Sequence, residues 1–503
     1  MTAPLLHAEW TKFRTVRGWV IAMVVAALLA AGFGIWASSG GQACGTMMPG
    51  GQIVARGCSG PPLGPGGEAV TDSFYFVRQS LRGDGSVTVR VTALSGGNPS
   101  DNPGGPFTAG LRPWAKAGII VAASLRPGSA YAAMMVTGSH GVRMQDDYTG
   151  DMAGLGGAVS AASPRWLRLV RSEDMLTGYD SADGAHWIRV GAARLAGLPS
   201  VVPVGLFVTS PDFEAAESSS PTLATAVFDH LRLSGTGPGG GWSGGPVGPG
   251  GGPSDAAGGR FRQADGQFTV SGAGDIAPAV ANSSWSSKPA DHALTGAFAG
   301  LIVVIVVGAM FMTAEYRRGL IRTTLAASPR RGQVLAAKAV VAGSVAFAAA
   351  LPGAAVAVLL GPRLMRASGA YVFPAGVLTE VRVVAGTAAL FALVTVLALA
   401  LGAILRHGAG PVTAVIAVVV VPYFFASPLA LLPPGAADWL LRITPAAGFA
   451  IQQVLPQYPQ VANAYTPQYG YYPLPPWAGL AVLCAWTAAA LLAAGYLLRR
   501  RDA

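Results

Sequence analysis

Charge is what this chain has least of: 12% of its 503 residues are Asp, Glu, Lys or Arg, against 51% that are hydrophobic. An ordinary soluble domain carries about 25%, so a single soluble globule is excluded. Lysine is nearly missing, with four residues (12, 116, 288 and 338), and the net charge of +10 is therefore an arginine excess. Three cysteines are too few for a disulfide-built scaffold. Six histidines (7, 140, 186, 230, 292 and 407) stand apart with no ligand-like pair, so no zinc or other metal site is expected. No Gly-Lys dipeptide occurs anywhere, so there is no Walker A loop to cradle nucleotide phosphates, and the chain is not expected to hydrolyse ATP by itself.

What is abundant is long apolar sequence. Six windows reach the roughly 20 residues needed to cross a bilayer: 18–37, 294–313, 334–360, 383–405, 412–432 and 477–498. None contains an acidic residue. With the N-terminus inside, the inner short segments hold thirteen cationic residues: Lys12, Arg14, Arg17, Arg317, Arg318, Arg322, Arg330, Arg331, Lys338, Arg406 and Arg499 to Arg501. The outer short loops hold four, Arg363, Arg366, Arg382 and Arg442. This asymmetry is the positive-inside pattern. It predicts a multi-pass plasma-membrane protein with both termini cytoplasmic and residues 38–293 outside, and it accounts for the basic charge without nucleic acid. A signal peptide is the alternative for 18–37, but that run exceeds an ordinary apolar signal core and Gly34-Ile35-Trp36-Ala37 offers no small-x-small cleavage site.

The 256 residues from 38 to 293 are too polar and turn-rich for lipid. Cys44 and Cys58 fall there among glycines, fourteen positions apart, and suit a loop-closing disulfide in an oxidising compartment; two unpaired thiols in a linker are the alternative. Cys484 lies in the last apolar window and reads as a small packing residue. Short alternating runs such as SVTVRVTAL (86–94), AGIIVAASL (117–125), WLRLVR (166–171) and AVFDHLRL (226–233) read as strands, and Asp183-Gly184 as a hairpin reversal. Many short strands without helical period imply an antiparallel sandwich over 68–234. Trp166 and Trp187 on these strands are candidate glycan contacts, with core filling as the competing role. Asp146, Asp147 and Asp151 read as a solvated acidic loop in preference to a calcium site.

Residues 235–259 hold thirteen glycines and four prolines and read as a flexible linker, with 260–293 a membrane-proximal segment. GWSGG (241–245) matches a nucleophile elbow, and Gly235, Gly237 and Gly240 match G-x-G-x-x-G, but neither has the strand-turn-helix context that would make the match chemical. No catalytic or cofactor-binding residue is expected.

The blocks PWAKAGIIV (113–121), AYAAMMVTGSHGVRMQ (130–145), TGYDSADGAHWIRVG (177–191), VPVGLFVTS (202–210) and FDHLRL (228–233) resemble, in that order, a concanavalin A-like β-sandwich. Such domains often bind glycans; the E-x-D-x-x-E strand of their glycanase members is missing here, so hydrolysis is not implied. The membrane half resembles another family. LLHAEWTKFRTVRGW (5–19) alternates apolar Leu6, Trp10, Phe13 and Val20 with Glu9, Lys12, Arg14 and Arg17, as an amphipathic interfacial helix does. Together with EYRRGLIRTTLAASPRRGQVLAAK (315–338), it resembles the membrane subunit of ABC-2 type transporters, of an actinobacterial type.

This resemblance implies an interface helix carrying Leu6, Glu9, Trp10, Phe13 and Arg14. It also implies a coupling helix within 315–333, with Glu315, Tyr316, Arg317, Arg318, Arg322, Thr323 and Thr324 in its ATPase contact; Leu320, Ile321 and Leu325 would be its apolar key. The partners it implies are an ATPase subunit that holds ATP and Mg, a second permease copy or paralogue, and membrane lipid, with glycan a candidate for the sandwich. The fold expected is thus a membrane α-helical protein of six transmembrane helices with a large inserted extracellular all-β sandwich. Its segments are 1–37, 38–67, 68–234, 235–259, 260–293 and 294–503. The competing function is a polytopic membrane-anchored glycan receptor or adhesin without transport.

Overall fold

The structure is a computed structural model, and it describes residues 3–39, 45–47, 53–55, 60–98, 107–214, 219–236, 240–248, 259–280, 287–288, 293–317, 319, 330–426, 432–461 and 465–501. The chain divides into two compact units: a helical one (Met1–Ser59, Ala281–Gln457 and Tyr465–Ala503) and an all-β one (Gly60–Val280 with Tyr458–Ala464).

The helical unit contains α1 (Ala3–Thr15), α2 (Arg17–Ser39), α3 (Ala297–Arg317), α4 (Arg331–Ala367), α5 (Val377–Leu405), α6 (Ala409–Phe425), α7 (Pro434–Ile443) and α8 (Pro476–Arg501). Five of these, α2, α3, α4, α5 and α8, are long and apolar enough to cross a membrane. The sixth expected span, 412–432, corresponds to the shorter α6. Its backbone opens into a π-helix over Ile416–Val420, one turn before Pro422, where the ring removes a backbone donor. At 37 residues α4 is about 55 Å long at 1.5 Å per residue and carries Pro352 and Pro362 within it.

Close helix contacts rest on small residues. A Cβ on Gly300 would lie 2.6 Å from the Ala26 carbonyl oxygen, and one on Gly308 2.5 Å from that of Thr395. Only glycine lets α3 approach α2 and α5 this far, the usual device where no hydrophobic effect drives apolar helices together.

In the all-β unit, fourteen strands form one continuous hydrogen-bonded sheet that wraps into a sandwich. Its organiser is the 25-residue strand Phe74–Asn98. The first part pairs with Val201–Thr209 and Ser243–Val247, the second with Arg165–Ser172 and Leu223–Thr236. Between the two parts Gly83 takes φ +66, a conformation that glycine adopts without strain.

Lys116–Ala122 and Tyr131–Thr137 are buried at every position, not at alternate ones. Two apolar clusters enclose them: Val87, Leu167, Ile119 and Met134 belong to one, Phe76, Ile120, Phe207 and Val247 to the other. Part of both clusters comes from beyond the expected boundary at 234: Phe268 and Val270 belong to the first, Val247 and Ile276 to the second. Ser243–Val247, inside the glycine-rich stretch read as a linker, pairs with Phe74–Arg78, and Gln267–Gly272 pairs with Leu223–Thr236. A buried ion pair secures the end of this segment: the Lys116 ammonium donates to Asp275 Oδ1 at 2.7 Å and to the Ile276 carbonyl at 2.6 Å.

Asp183-Gly184 lies in the connection between Met175–Ser181 and Ile188–Arg194, with Gly184 at φ +78. This is longer than a two-residue hairpin. The Asp183 carboxylate spans it by accepting from the backbone N–H of Ala185 and His186, both at 2.8 Å, and from His186 Nδ1 at 2.7 Å. These donors hold the Asp183 carboxyl well below its ordinary range, and the carboxylate in turn raises the His186 imidazole above 6.5.

Candidate functional site

α1 is amphipathic, but the side it turns inward is partly charged. Leu6 and Phe13 pack against the helical core, and between them Glu9 is also buried, 2% exposed. A carboxylate desolvated this far needs cations, and two lysines supply them. Lys338, in the second turn of α4 with none of its surface exposed, donates to Glu9 Oε2 at 2.7 Å and to Glu315 Oε1 at 2.6 Å. Lys12 donates to Glu9 Oε1 at 2.8 Å and to Glu315 Oε1 at 3.2 Å. Two carboxylates and two ammonium groups thus form a closed, neutral cluster that joins α1, the last turn of α3 and the start of α4.

Aromatic rings complete the joint. Phe13 meets Phe311 edge-on at 5.4 Å, Trp19 meets Phe311 at 5.1 Å, and the Lys338 ammonium lies 4.6 Å from the Phe311 ring centre. Burial alone would lower the Lys12 pKa, but the Glu9 hydrogen bond and the charges of Glu315 and Glu9 outweigh it, so that the pKa stands above the ordinary 10.5.

Trp10, 44% exposed, and Arg14 face the other way, onto an apolar groove of about 640 Å³ walled by Met23, Val345 and Pro352. Glu315 turns inward to the lysines, and the neighbouring Tyr316 has the Arg406 guanidinium 5.0 Å from its ring. Arg317 ends α3 and is exposed. Arg318, Leu320, Ile321, Arg322, Thr323, Thr324 and Leu325 lie outside the described residues, as do Cys44 and Cys58. Sequence reasoning counted Lys338 only as an inner positive charge. The signal for more was an ammonium set inside an apolar window, which costs several kcal/mol unless paired.

In the all-β unit, Trp166 and Trp187 are half-buried on the sheet face that turns away from the core. The Arg90 guanidinium lies 5.6 Å from the Trp166 ring, with His230 at 5.2 Å, and Arg168 lies 3.9 Å from the Trp187 ring. Of the three carboxylates considered for calcium, Asp151 is bound by Arg143 and Gln145, and Asp147 accepts the Tyr131 N–H at 3.1 Å. Among the described residues no group of three or more His, Cys, Asp or Glu is placed to hold a metal.

The solved structures similar to this chain are matched over its minor part. One is a functionally unknown protein from Saccharomyces cerevisiae, at 18% identity over 33% of this chain and 76% of that one, with a TM-score of 0.21. Another is the GH43 protein BlXynB mutant from Bacillus licheniformis, at 17% over 30% and 28%, with a TM-score of 0.20. A third is scytalido-glutamic peptidase with a transition state analog inhibitor, at 8% over 40% and 98%, with a TM-score of 0.25. Likeness this low assigns no activity. Among curated proteins nothing matches. The family described as ABC-2 family transporter protein, in contrast, matches residues 14–503, a range that holds every long apolar helix, Lys338 and Glu315 of the charge cluster and the whole all-β unit. The chain belongs to the ABC-2 family of transporter proteins.

Proposed function

We propose that this chain is the membrane-spanning permease subunit of an ABC-2 type exporter and that a separate ATPase subunit, which binds ATP and Mg, drives it from the cytoplasmic side. The observation that carries this reading is the four-charge cluster, in which Glu9, Glu315 and Lys338 are buried and Lys12 is partly exposed. A motor outside the membrane moves helices inside it only through a stiff connection, and Glu9, Lys12, Glu315 and Lys338 make one. They bind the helix that runs ahead of the first span to both helices flanking residues 318–330, so that a push on that segment reaches α1, α3 and α4 together. Burying an apolar side chain such as Ile321 or Leu325 in an ATPase groove contributes about 1.5–3 kcal/mol each, and Arg317, Arg318 and Arg322 add charge.

Both termini are cytoplasmic in this reading, and residues 38–293 are extracellular. Cys44 and Cys58 are joined there, and Trp166 and Trp187 contribute to a glycan contact. Two copies, or one copy and a paralogue, assemble with two ATPase subunits.

The test is copurification with the candidate ATPase and stimulation of its turnover in lipid nanodiscs. Ile321→Asp with Leu325→Asp is expected to release the ATPase or uncouple it, while Arg317→Ala with Arg318→Ala keeps most of the complex. Normal assembly and turnover in the aspartate pair would overturn the coupling assignment and favour a receptor.

A further inference from the structure

Strand register sets five side chains in a row across the outward face of the sandwich. Arg232 pairs with Thr88, Thr88 with Arg168, Arg168 with Tyr179, and Tyr179 with Arg189. The residues flanking these positions, including Val87, Val89, Leu167, Leu169, Leu231 and Leu233, face the apolar core, so that the row itself points outward. Neighbouring strands lie about 4.8 Å apart, which spaces the three arginines at about 10 Å intervals along a straight line.

Among the described residues none of these three arginines pairs with a carboxylate, whereas the nearby Arg90 is held by Asp229 at 2.6 and 2.7 Å. Arg168 is also preorganised: its guanidinium lies against the Trp187 ring at 3.9 Å, and its Nε donates to the Thr88 hydroxyl at 3.2 Å. Its remaining N–H groups are left for a ligand. A guanidinium fork matches a carboxylate with two parallel hydrogen bonds, and fixing the fork beforehand lowers the entropy lost on binding. Because the Trp187 face is already covered by Arg168, neutral sugar stacking there competes with a cation. Charge complementarity therefore favours an acidic ligand over a neutral one.

We propose that the row Arg232, Thr88, Arg168, Tyr179, Arg189, with Trp187 buttressing Arg168, is a binding face for a carboxylate-bearing polysaccharide. The periodic arginines take acid groups along the polymer, and Tyr179, between Arg168 and Arg189, offers a ring to the intervening sugar. This inference deepens the glycan-contact part of the reading above and is independent of its transport part.

The experiment uses the full chain in zwitterionic nanodiscs, with polygalacturonate and its fully methyl-esterified, neutral form as probes in interferometry. A phosphate-bearing polymer and anionic vesicles are the further arms. Expected is salt-sensitive binding of polygalacturonate, weak or no binding of the ester, and a loss of about tenfold or more in R168Q/R189Q/R232Q, the size of one charge-assisted hydrogen bond. R126Q, which removes an exposed arginine off the row, is expected to bind as the parent does. Equal binding of the ester overturns the acidic preference and leaves a glycan contact standing; no binding of any polymer overturns both. Binding confined to phosphate polymer or vesicles, an unaffected triple variant, or an equal loss in R126Q each overturns the proposal as well.

Discussion

Lys338 illustrates how one residue can set the behaviour of a membrane domain. Its side chain is fully buried and its ammonium meets two carboxylates, Glu9 and Glu315. Burying such a cluster gains little net stability, because desolvation offsets the Coulomb attraction, but breaking it leaves a charge uncompensated. Lys338→Met is therefore expected to cost about 3–5 kcal/mol, measured as loss of the folded peak with temperature in size-exclusion chromatography in detergent. Adding Glu9→Gln should restore part of the loss, since one lysine and one carboxylate then remain to pair; a double variant less stable than the single one would show that the cluster is not a unit. The cation was legible in the sequence as an ammonium inside an apolar window. Glu9 was not, because an amphipathic pattern gives the angle between side chains but not which side meets the bundle.

At the scale of elements, helices and strands differ in how far sequence foretells them. Apolar length located α2, α3 and α8 to within about four residues and the end of α5, which begins six residues earlier than its window, because crossing a bilayer is a condition on length and composition alone. α4 is longer at both ends than the window 334–360, since its polar and proline-bearing ends continue the helix beyond the apolar stretch. The glycines of α3 determine how near its neighbours come. Gly308→Leu places side-chain atoms where the Thr395 carbonyl stands, and should destabilise the helical unit by about 1–3 kcal/mol through overpacking. Gly18→Ala, where a Cβ meets nothing within 4 Å, should leave the detergent melting temperature unchanged. Equal melting temperatures for Gly308→Leu and the parent would refute the close-packing role. Among the strands, Ser243–Val247 escaped notice because glycine and proline weaken strand propensity, and its backbone pairs with Phe74–Arg78 all the same.

For the molecule as a whole, the all-β unit has its own core and its strands are contiguous from Val70 to Pro278 but for the connecting loops. Residues 60–280 expressed alone are expected to give a circular dichroism spectrum dominated by strand and a cooperative melt, whereas 68–234 should be markedly less stable. The shorter piece loses Val247, Phe268, Val270 and Ile276 from the two cores and leaves Lys116 buried without Asp275. Identical melts for the two pieces would contradict this. The amino-acid sequence by itself determined that the chain enters a membrane and that a large β-rich piece interrupts its helices, because span length and strand alternation are written in consecutive residues. Only the tertiary structure decided that Glu9 meets a lysine 329 positions away, that a glycine-rich stretch completes a sheet, and that three arginines from separate strands align on one face. Those facts depend on register and on which helix face is turned inward, and no local pattern encodes either.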